Sequence, residues 1–187
     1  MHDAPMVYRK ATMVCSLLGL MALAGCGAAM SEKDCRAANW YNRGFDDALR
    51  GQPKSTLDGY TRACSEYNVS LDRNAWWLGH EWGLATYCSI RPGYDIGRYG
   101  ADYQNTCADR PGEAAFLTGY IRGLVDRREK LDGEMVMLRR RLSGFDSRSQ
   151  IEAVTQRARI VQAESRRAEL SLVWADQRLH VLAERVK

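Results

Sequence analysis

Histidine and proline are scarce in this chain of 187 residues, with three of the first and four of the second. So few imidazoles exclude a histidine-rich metal site, and outside the first residues only His80 and His180 remain. There is no Cys-x-x-Cys pair, which weighs against structural zinc, whose ligands come in close pairs. No nucleophile motif surrounds any serine, so no catalytic residues are expected, and no cofactor. The Val/Ile/Thr alternation that strands need is missing throughout, and with proline so rare an all-α fold follows. Charge is not lopsided either, at a formal +4. A membrane span needs roughly 20 consecutive apolar residues, and the one long apolar run is shorter than that.

That run occupies residues 11–24, behind the basic pair Arg9 and Lys10, and has the length of an export signal. It ends in Leu23-Ala24-Gly25-Cys26, which resembles the bacterial lipobox. Residues 1–25 are therefore expected to be a signal peptide. Residues 26–33 would supply a lipidated Cys26 and a short tether, since several acyl chains on one residue anchor stably where one does not. Gly27 stands where inner-membrane lipoproteins commonly carry aspartate. The expected address is the outer membrane, facing the periplasm.

Beyond the tether, residues 34–125 form an expected helical domain in which one pattern occurs three times. Tyr41-x-x-Gly44-x-x-x-Ala48-Leu49, Trp76-x-x-Gly79-x-x-x-Gly83-Leu84 and Phe116-x-x-Gly119-x-x-x-Gly123-Leu124 each put small residues on one helix face, with bulky groups beside them. Glycine inside a helix costs about 1 kcal/mol relative to alanine, so close helix-to-helix packing should compensate. A short helix carrying Tyr60-x-x-x-Cys64 is expected between the first two copies. Residues 89–112, dense in Gly, Tyr, Asp and Pro, read as an ordered surface loop that repeats the spacing in Tyr103-x-x-x-Cys107.

Residues 126–187 read as a coiled-coil tail, continuous with a helix starting near residue 113. Leu117, Ile121, Leu124, Leu131, Met135, Leu138 and Leu142 alternate at intervals of three and four, with charged Arg128 at one apolar place. Residues 143–146 break that helix, and Ser149-x-x-Glu152 has capping-box form. A heptad then runs through Ile151, Val154, Ala158, Val161, Ser165, Ala168, Leu172, Ala175, Leu179, Leu182 and Val186. The expected product is a long antiparallel helical hairpin that projects from the domain or folds back on it, with pairing in trans, including a homo-oligomer, left open. The tail holds 14 Lys/Arg against 10 Asp/Glu. Its arginine clusters read as solvated coiled-coil faces and not as a nucleic-acid surface, because an envelope address removes that partner.

Four cysteines follow Cys26, an even number in an oxidising compartment, and two disulfides are expected among Cys35, Cys64, Cys88 and Cys107. If the first two glycine-striped helices pack antiparallel, Cys35 and Cys88 share one end, which favours Cys35–Cys88 with Cys64–Cys107. Sequential pairing, Cys35–Cys64 with Cys88–Cys107, is the rival. The candidate ligand-binding set is Trp76, Trp77, His80 and Glu81 with Tyr94, Asp95 and Tyr99, whose rings could stack on sugars.

The ordered set Asp34-Cys35, Trp40, Gly44, Asp47, Gly51, Cys64, Asp72, Gly79, Gly83-Leu84, Tyr87-Cys88, Gly93, Gly97, Tyr103, Cys107, Phe116, Tyr120 and Gly123 resembles the bacterial lipoprotein family DUF2799. The resemblance spans about residues 34–124. It implies a small secreted domain, usually lipid-anchored, with four recurring cysteines and no assigned activity. Two functions are then expected to compete. One is a lipoprotein acting as a structural or protein-interaction module through the 126–187 region; the other is a glycan- or small-ligand-binding envelope domain.

Overall fold

The computed structural model describes residues 30–145 and 147–185. The expected signal peptide and the lipidation of Cys26 lie outside the described residues, as does Val186. Among the described residues there are seven helices and no strand: α1 (Glu32–Ala37), α2 (Trp40–Leu49), α3 (Thr56–Ser65), α4 (Arg73–Tyr87), α5 (Ile90–Tyr99), α6 (Glu113–Leu142) and α7 (Arg148–Glu184). Local chemistry sets several of the starts. Ser31 and Asp34 form a reciprocal capping box on α1. Asn39 accepts from the Asn42 amide on α2, and Asp72 from the Ala75 amide on α4; each such cap contributes about 1 kcal/mol.

Two pairs of helices cross through their glycines. A Cβ on Gly44 would fall 2.0 Å from the Trp76 carbonyl oxygen, and one on Gly79 would fall 1.9 Å from that of Tyr41. Gly83 faces Phe45 and Ala48, so contacts advance along both helices in the same direction and α2 and α4 cross in parallel. α5 and α6 repeat the arrangement, Gly93 against Phe116, Gly97 against Tyr120, Gly119 against Ile90 and Gly123 against Tyr94. The fourth stripe, Gly93-x-x-x-Gly97, lies in the segment expected to be a loop. Residues 90–99 are helix because Pro92 sits in the first turn, where its missing N–H is not needed, and because the glycines let α5 lie against α6.

The parallel crossing overturns the favoured disulfide pairing. Cys35 precedes α2 and Cys88 follows α4, so a parallel pair carries them to opposite ends. The bonds are Cys35–Cys64, with Cα atoms 5.6 Å apart, and Cys88–Cys107, at 5.5 Å. The first ties α1 to α3, and the second ties the end of α4 to the segment ahead of α6.

With that pairing the domain resolves into two equivalent halves. Each runs from a cysteine into a glycine-striped helix and then a left-handed glycine, Gly51 at φ 72° and Gly100 at φ 70°. A Tyr-x-x-x-Cys follows, Tyr60 to Cys64 or Tyr103 to Cys107, and then the second striped helix, opened by buried Trp76 or Phe116. The first half keeps its own core of Met30, Cys35, Trp40, Leu57, Cys64 and Trp76.

The second half has no such independence. α6 continues without a break through the expected boundary at residue 126, and α7 folds back antiparallel along its whole length within the same chain. Ala168 and Ala175 pack into the core of Phe116, Leu117, Tyr120 and Leu124, and farther out Leu131 and Leu138 meet Val161. Cross-helix ion pairs keep the register, Arg157 to Glu134 at 2.6 Å and Arg127 to Glu164 at 2.5 Å. From Val154 to Leu182 the heptad seam is thus filled as expected, with small residues where the helices approach closely, while Ile151 at its start stays 37% exposed. Arg128, at the charged place in the seam, is half-buried and its Nε has no hydrogen-bond partner. The expected capping box at Ser149 is not formed: α7 starts at Arg148 with Ser147 as cap, and the Ser149 hydroxyl lies 3.0 Å from that of Ser147.

Candidate functional site

The parallel crossing of α2 and α4 brings Asp47 beneath Trp76. Both are essentially without exposed surface, at 1% and 0%. A buried carboxylate is tolerated only where hydrogen bonds replace water, and Asp47 has three donors: Trp76 Nε1 at 3.0 Å, the Tyr60 hydroxyl at 3.1 Å and Arg50 at 2.8 Å. The Trp76 ring stacks on the imidazole of His80, centroids 4.5 Å apart at 22°. His80 is fully buried, and its Nε2 lies 2.9 Å from the Gln52 carbonyl oxygen. A carbonyl only accepts, so Nε2 carries the proton and donates. Nδ1 is left as an acceptor with no partner. Burial pushes the imidazole below its ordinary 6.5, against the opposing effect of the Gln52 bond, and the neutral ring is the native form.

The second half contains the counterpart of this contact. The Tyr120 hydroxyl donates to the Ala101 carbonyl at 3.3 Å. Gln52 and Ala101 each follow the left-handed glycine of their half, and His80 and Tyr120 each follow the first stripe glycine of their second helix. His80 therefore does in one half the structural work that a phenol does in the other.

Of the remaining residues expected at the site, Trp77 is half-buried, lies edge-on to Trp76 and carries the Lys54 ammonium 4.7 Å above its ring. Glu81 is gripped by Arg110 through two bonds of 2.6 and 2.8 Å, and Lys54 stands 3.5 Å away. The Arg110 hydrogen bonds pull its carboxyl down to about 2, so it stays ionised and paired. A cavity of about 210 Å³ adjoins His80, walled by Pro53, Lys54, Leu84, Asn105 and Arg110.

Tyr94, Asp95 and Tyr99 do not join this group. They lie on α5, where the Tyr94 hydroxyl donates to Asp126 at 2.6 Å, Asp95 pairs with Arg91 at 3.0 Å, and the Arg98 guanidinium covers the rings of Tyr94 and Tyr99. The set expected from sequence is thus divided between two helices. Its most polarisable member pair, Trp76 and His80, is interior packing with no surface on which a sugar could stack. Among the described residues no three His, Cys, Asp or Glu side chains gather where a metal could sit.

Sequence reasoning missed the polar groups that join the hairpin to the domain. Glu113, 1% exposed, takes two bonds from Arg178 of α7, at 2.7 and 3.0 Å, and a third from the Asp109 amide at 2.7 Å. Arg178 also reaches Asp109 at 3.0 Å, and Arg185 does so at 3.2 Å. The guanidinium of Arg178 is held firmly protonated by Glu113 and then by Asp109. Arg167 is hydrogen-bonded to Asp102, and the Trp174 ring packs 5.8 Å from that of Tyr103. No local signal in the sequence pairs residues 65 positions apart.

α7 also carries a second apolar face. Leu170, Val173, Trp174 and Val181 are 73%, 52%, 39% and 42% exposed. At 100° per residue they fall within about 100° of one another, opposite the seam residues Val161, Ala168 and Ala175. No helix among the described residues is long and apolar enough to cross a membrane.

Residues 39–125 match the family described as "Protein of unknown function (DUF2799)", which bears out over that segment the resemblance seen in the sequence. The match takes in both glycine-crossed pairs and stops inside α6, short of the hairpin. No curated protein and no solved structure matches the chain.

Proposed function

We propose that this protein is an envelope lipoprotein, held on the periplasmic face of the outer membrane through acyl chains on Cys26, whose folded body is a protein-interaction module acting through the hairpin. The export-type run, the lipobox-like Leu23-Ala24-Gly25-Cys26 and the oxidised cysteine pairs all support the address. The observation that carries the module is the exposed face of α7. A helix whose seam is satisfied in cis has no folding requirement for Leu170, Val173 and Val181 on its opposite side, and contiguous exposed apolar residues mark contact surfaces. The hairpin's positive balance favours a partner with an acidic margin and an apolar helical or sheet edge at its centre.

Truncating the tail would not test this cleanly, because α7 covers core residues of the domain. Surface substitution does. Crosslinking with mass spectrometry on intact envelopes, comparing the wild type with Leu170→Glu and Val173→Glu, is expected to lose one set of crosslinked partners while the fold persists. Identical crosslink profiles for the wild type and both variants would refute the reading.

A further inference from the structure

Arg43 and Arg62 both border one groove of about 720 Å³ on the first half, together with Arg50, Tyr60, Tyr67 and Met30. Among the described residues, the Arg43 and Arg62 side chains donate no hydrogen bond and have no carboxylate within 4 Å. What holds Arg43 is the Tyr60 ring, 5.4 Å beneath its guanidinium carbon. A cation placed by a π face keeps all five of its N–H donors for something else. The groove's acids are Asp47, whose charge is already matched by Arg50 at 2.8 Å, and Glu66 at the rim. Three arginines against two carboxylates line the groove, with Asp34 outside it also within the field of Arg43.

The second half of the domain shows that the fold does not need these charges. By the correspondence of Gly44 with Gly93 and Gly51 with Gly100, the positions of Arg43 and Asp47 on α2 and of Arg50 just after it are those of Pro92, Ile96 and Tyr99 on α5. One half builds its face from neutral residues, and the other buries a carboxylate there. Burying Asp47 costs solvation, and it fixes the Tyr60 hydroxyl and the Arg50 guanidinium in the groove wall. Tyr60 in turn places Arg43.

We infer that this groove is a binding site for a phosphate-bearing small molecule or head group, with Arg43 and Arg62 receiving the phosphate oxygens and Tyr60, Tyr67 and Met30 bordering its organic part. Guanidinium forks match the spacing of phosphate oxygens, and several forks together favour a doubly charged anion over a single carboxylate. The volume is that of an ordinary small-ligand pocket. The inference is independent of the partner assigned to the hairpin, which lies on the other half of the molecule's sequence.

The test is calorimetric titration of the full chain, purified in a neutral detergent, with inorganic phosphate, with glycerol 3-phosphate as a head-group analogue, and with glycerol as the uncharged control. Saturable binding of at least one of the two phosphates is expected, weakened about tenfold by Arg43→Gln and by Arg62→Gln and unchanged by Arg159→Gln on the hairpin. Tighter binding of glycerol 3-phosphate would identify a head group, and equal binding would identify the free anion. Thermal melts of the variants check folding; because Arg62 is exposed and the half-buried Arg43 is held only against a ring face, melting within a few degrees of the wild type is expected. No saturable response to either phosphate at millimolar concentration, or equal affinity in the wild type and both glutamine variants, would overturn the assignment.

Discussion

His80 and Tyr120 each donate to the carbonyl of the residue after a left-handed glycine, His80 to Gln52 at 2.9 Å and Tyr120 to Ala101 at 3.3 Å. The two contacts are the same joint in two halves of one domain, and only the first is built with a group whose ordinary pKa lies near neutral pH, since burial holds the Tyr120 phenol above its usual 10. Its consequence is a pH dependence. Burial lowers the folded-state pKa of His80 below 6.5, so the unfolded chain takes up a proton that the native state resists. Stability is fully present above about pH 6.5 and falls as pH drops below it.

Equilibrium urea unfolding at pH 7.5, 6.5 and 5.5 should show this loss, above the range where the carboxylates begin to protonate. His80→Gln should be less stable than the wild type at pH 7.5 and should show a flatter profile between 7.5 and 5.5. Parallel profiles would mean that the imidazole is not the group responsible.

The glycines make a prediction in which one substitution has two signs. Gly44→Ala and Gly93→Ala would place Cβ at 2.0 and 2.1 Å from the carbonyl oxygens of Trp76 and Phe116. Backbone cannot yield as a side chain can, so each should destabilise by about 3 kcal/mol through forced separation of the helices. Gly59→Ala and Gly133→Ala meet nothing within 4 Å, and each should stabilise by about 0.5–1 kcal/mol by restricting the unfolded chain and favouring helix. Chemical denaturation of the four variants distinguishes packing glycines from incidental ones.

Much of this architecture was legible because helices announce themselves by period. The stripes of α2, α4 and α6 and the heptad of α7 lie at the expected positions. α5 was not legible, because Ile90, Gly93 and Gly97 share their segment with Pro92, Asp95 and two tyrosines, and no apolar period rises above turn-forming composition. Nor does a Gly-x-x-x-Gly stripe reveal direction, since parallel and antiparallel crossings use the same small residues. The disulfide pairing followed from that choice and failed with it. At the candidate site, Trp76 and His80 were correctly placed together on one helix, but whether adjoining aromatics face solvent or interior depends on Asp47 of another helix, 29 residues earlier. The groove arginines give no sequence signal at all, because an arginine seated on a tyrosine ring looks, in one dimension, like any other surface charge.

The sequential disulfides can be checked directly. Non-reducing peptide mapping should recover Cys35 with Cys64 and Cys88 with Cys107, separated by 29 and 19 residues. Loops of this size contribute roughly 3 kcal/mol each by restricting the unfolded chain. Cys35→Ala/Cys64→Ala should therefore loosen the first half, whose core includes both sulfurs, while amides of α6 and α7 keep their protection in hydrogen exchange. Crosswise peptides would refute the pairing.

The joint between hairpin and domain predicts a strongly non-additive pair. Removing Arg178 leaves Glu113, only 1% exposed, with the Asp109 amide as its one remaining donor. A buried charge stripped of its cation costs about 3–5 kcal/mol, so Arg178→Met should be among the most destabilising changes on α7 even though it removes no apolar contact. Glu113→Gln alone leaves a guanidinium that still has Asp109 at 3.0 Å and is partly solvated, so its cost should be smaller. The double variant Arg178→Met/Glu113→Gln has no stranded charge, and its loss should fall well short of the sum of the two single losses. A double-mutant cycle by urea unfolding measures the difference. Coupling of about 2 kcal/mol or more would establish that this pair fastens α7 to the start of α6; strict additivity would mean that the two side chains act independently and that the apolar seam and the other cross-helix contacts hold the hairpin.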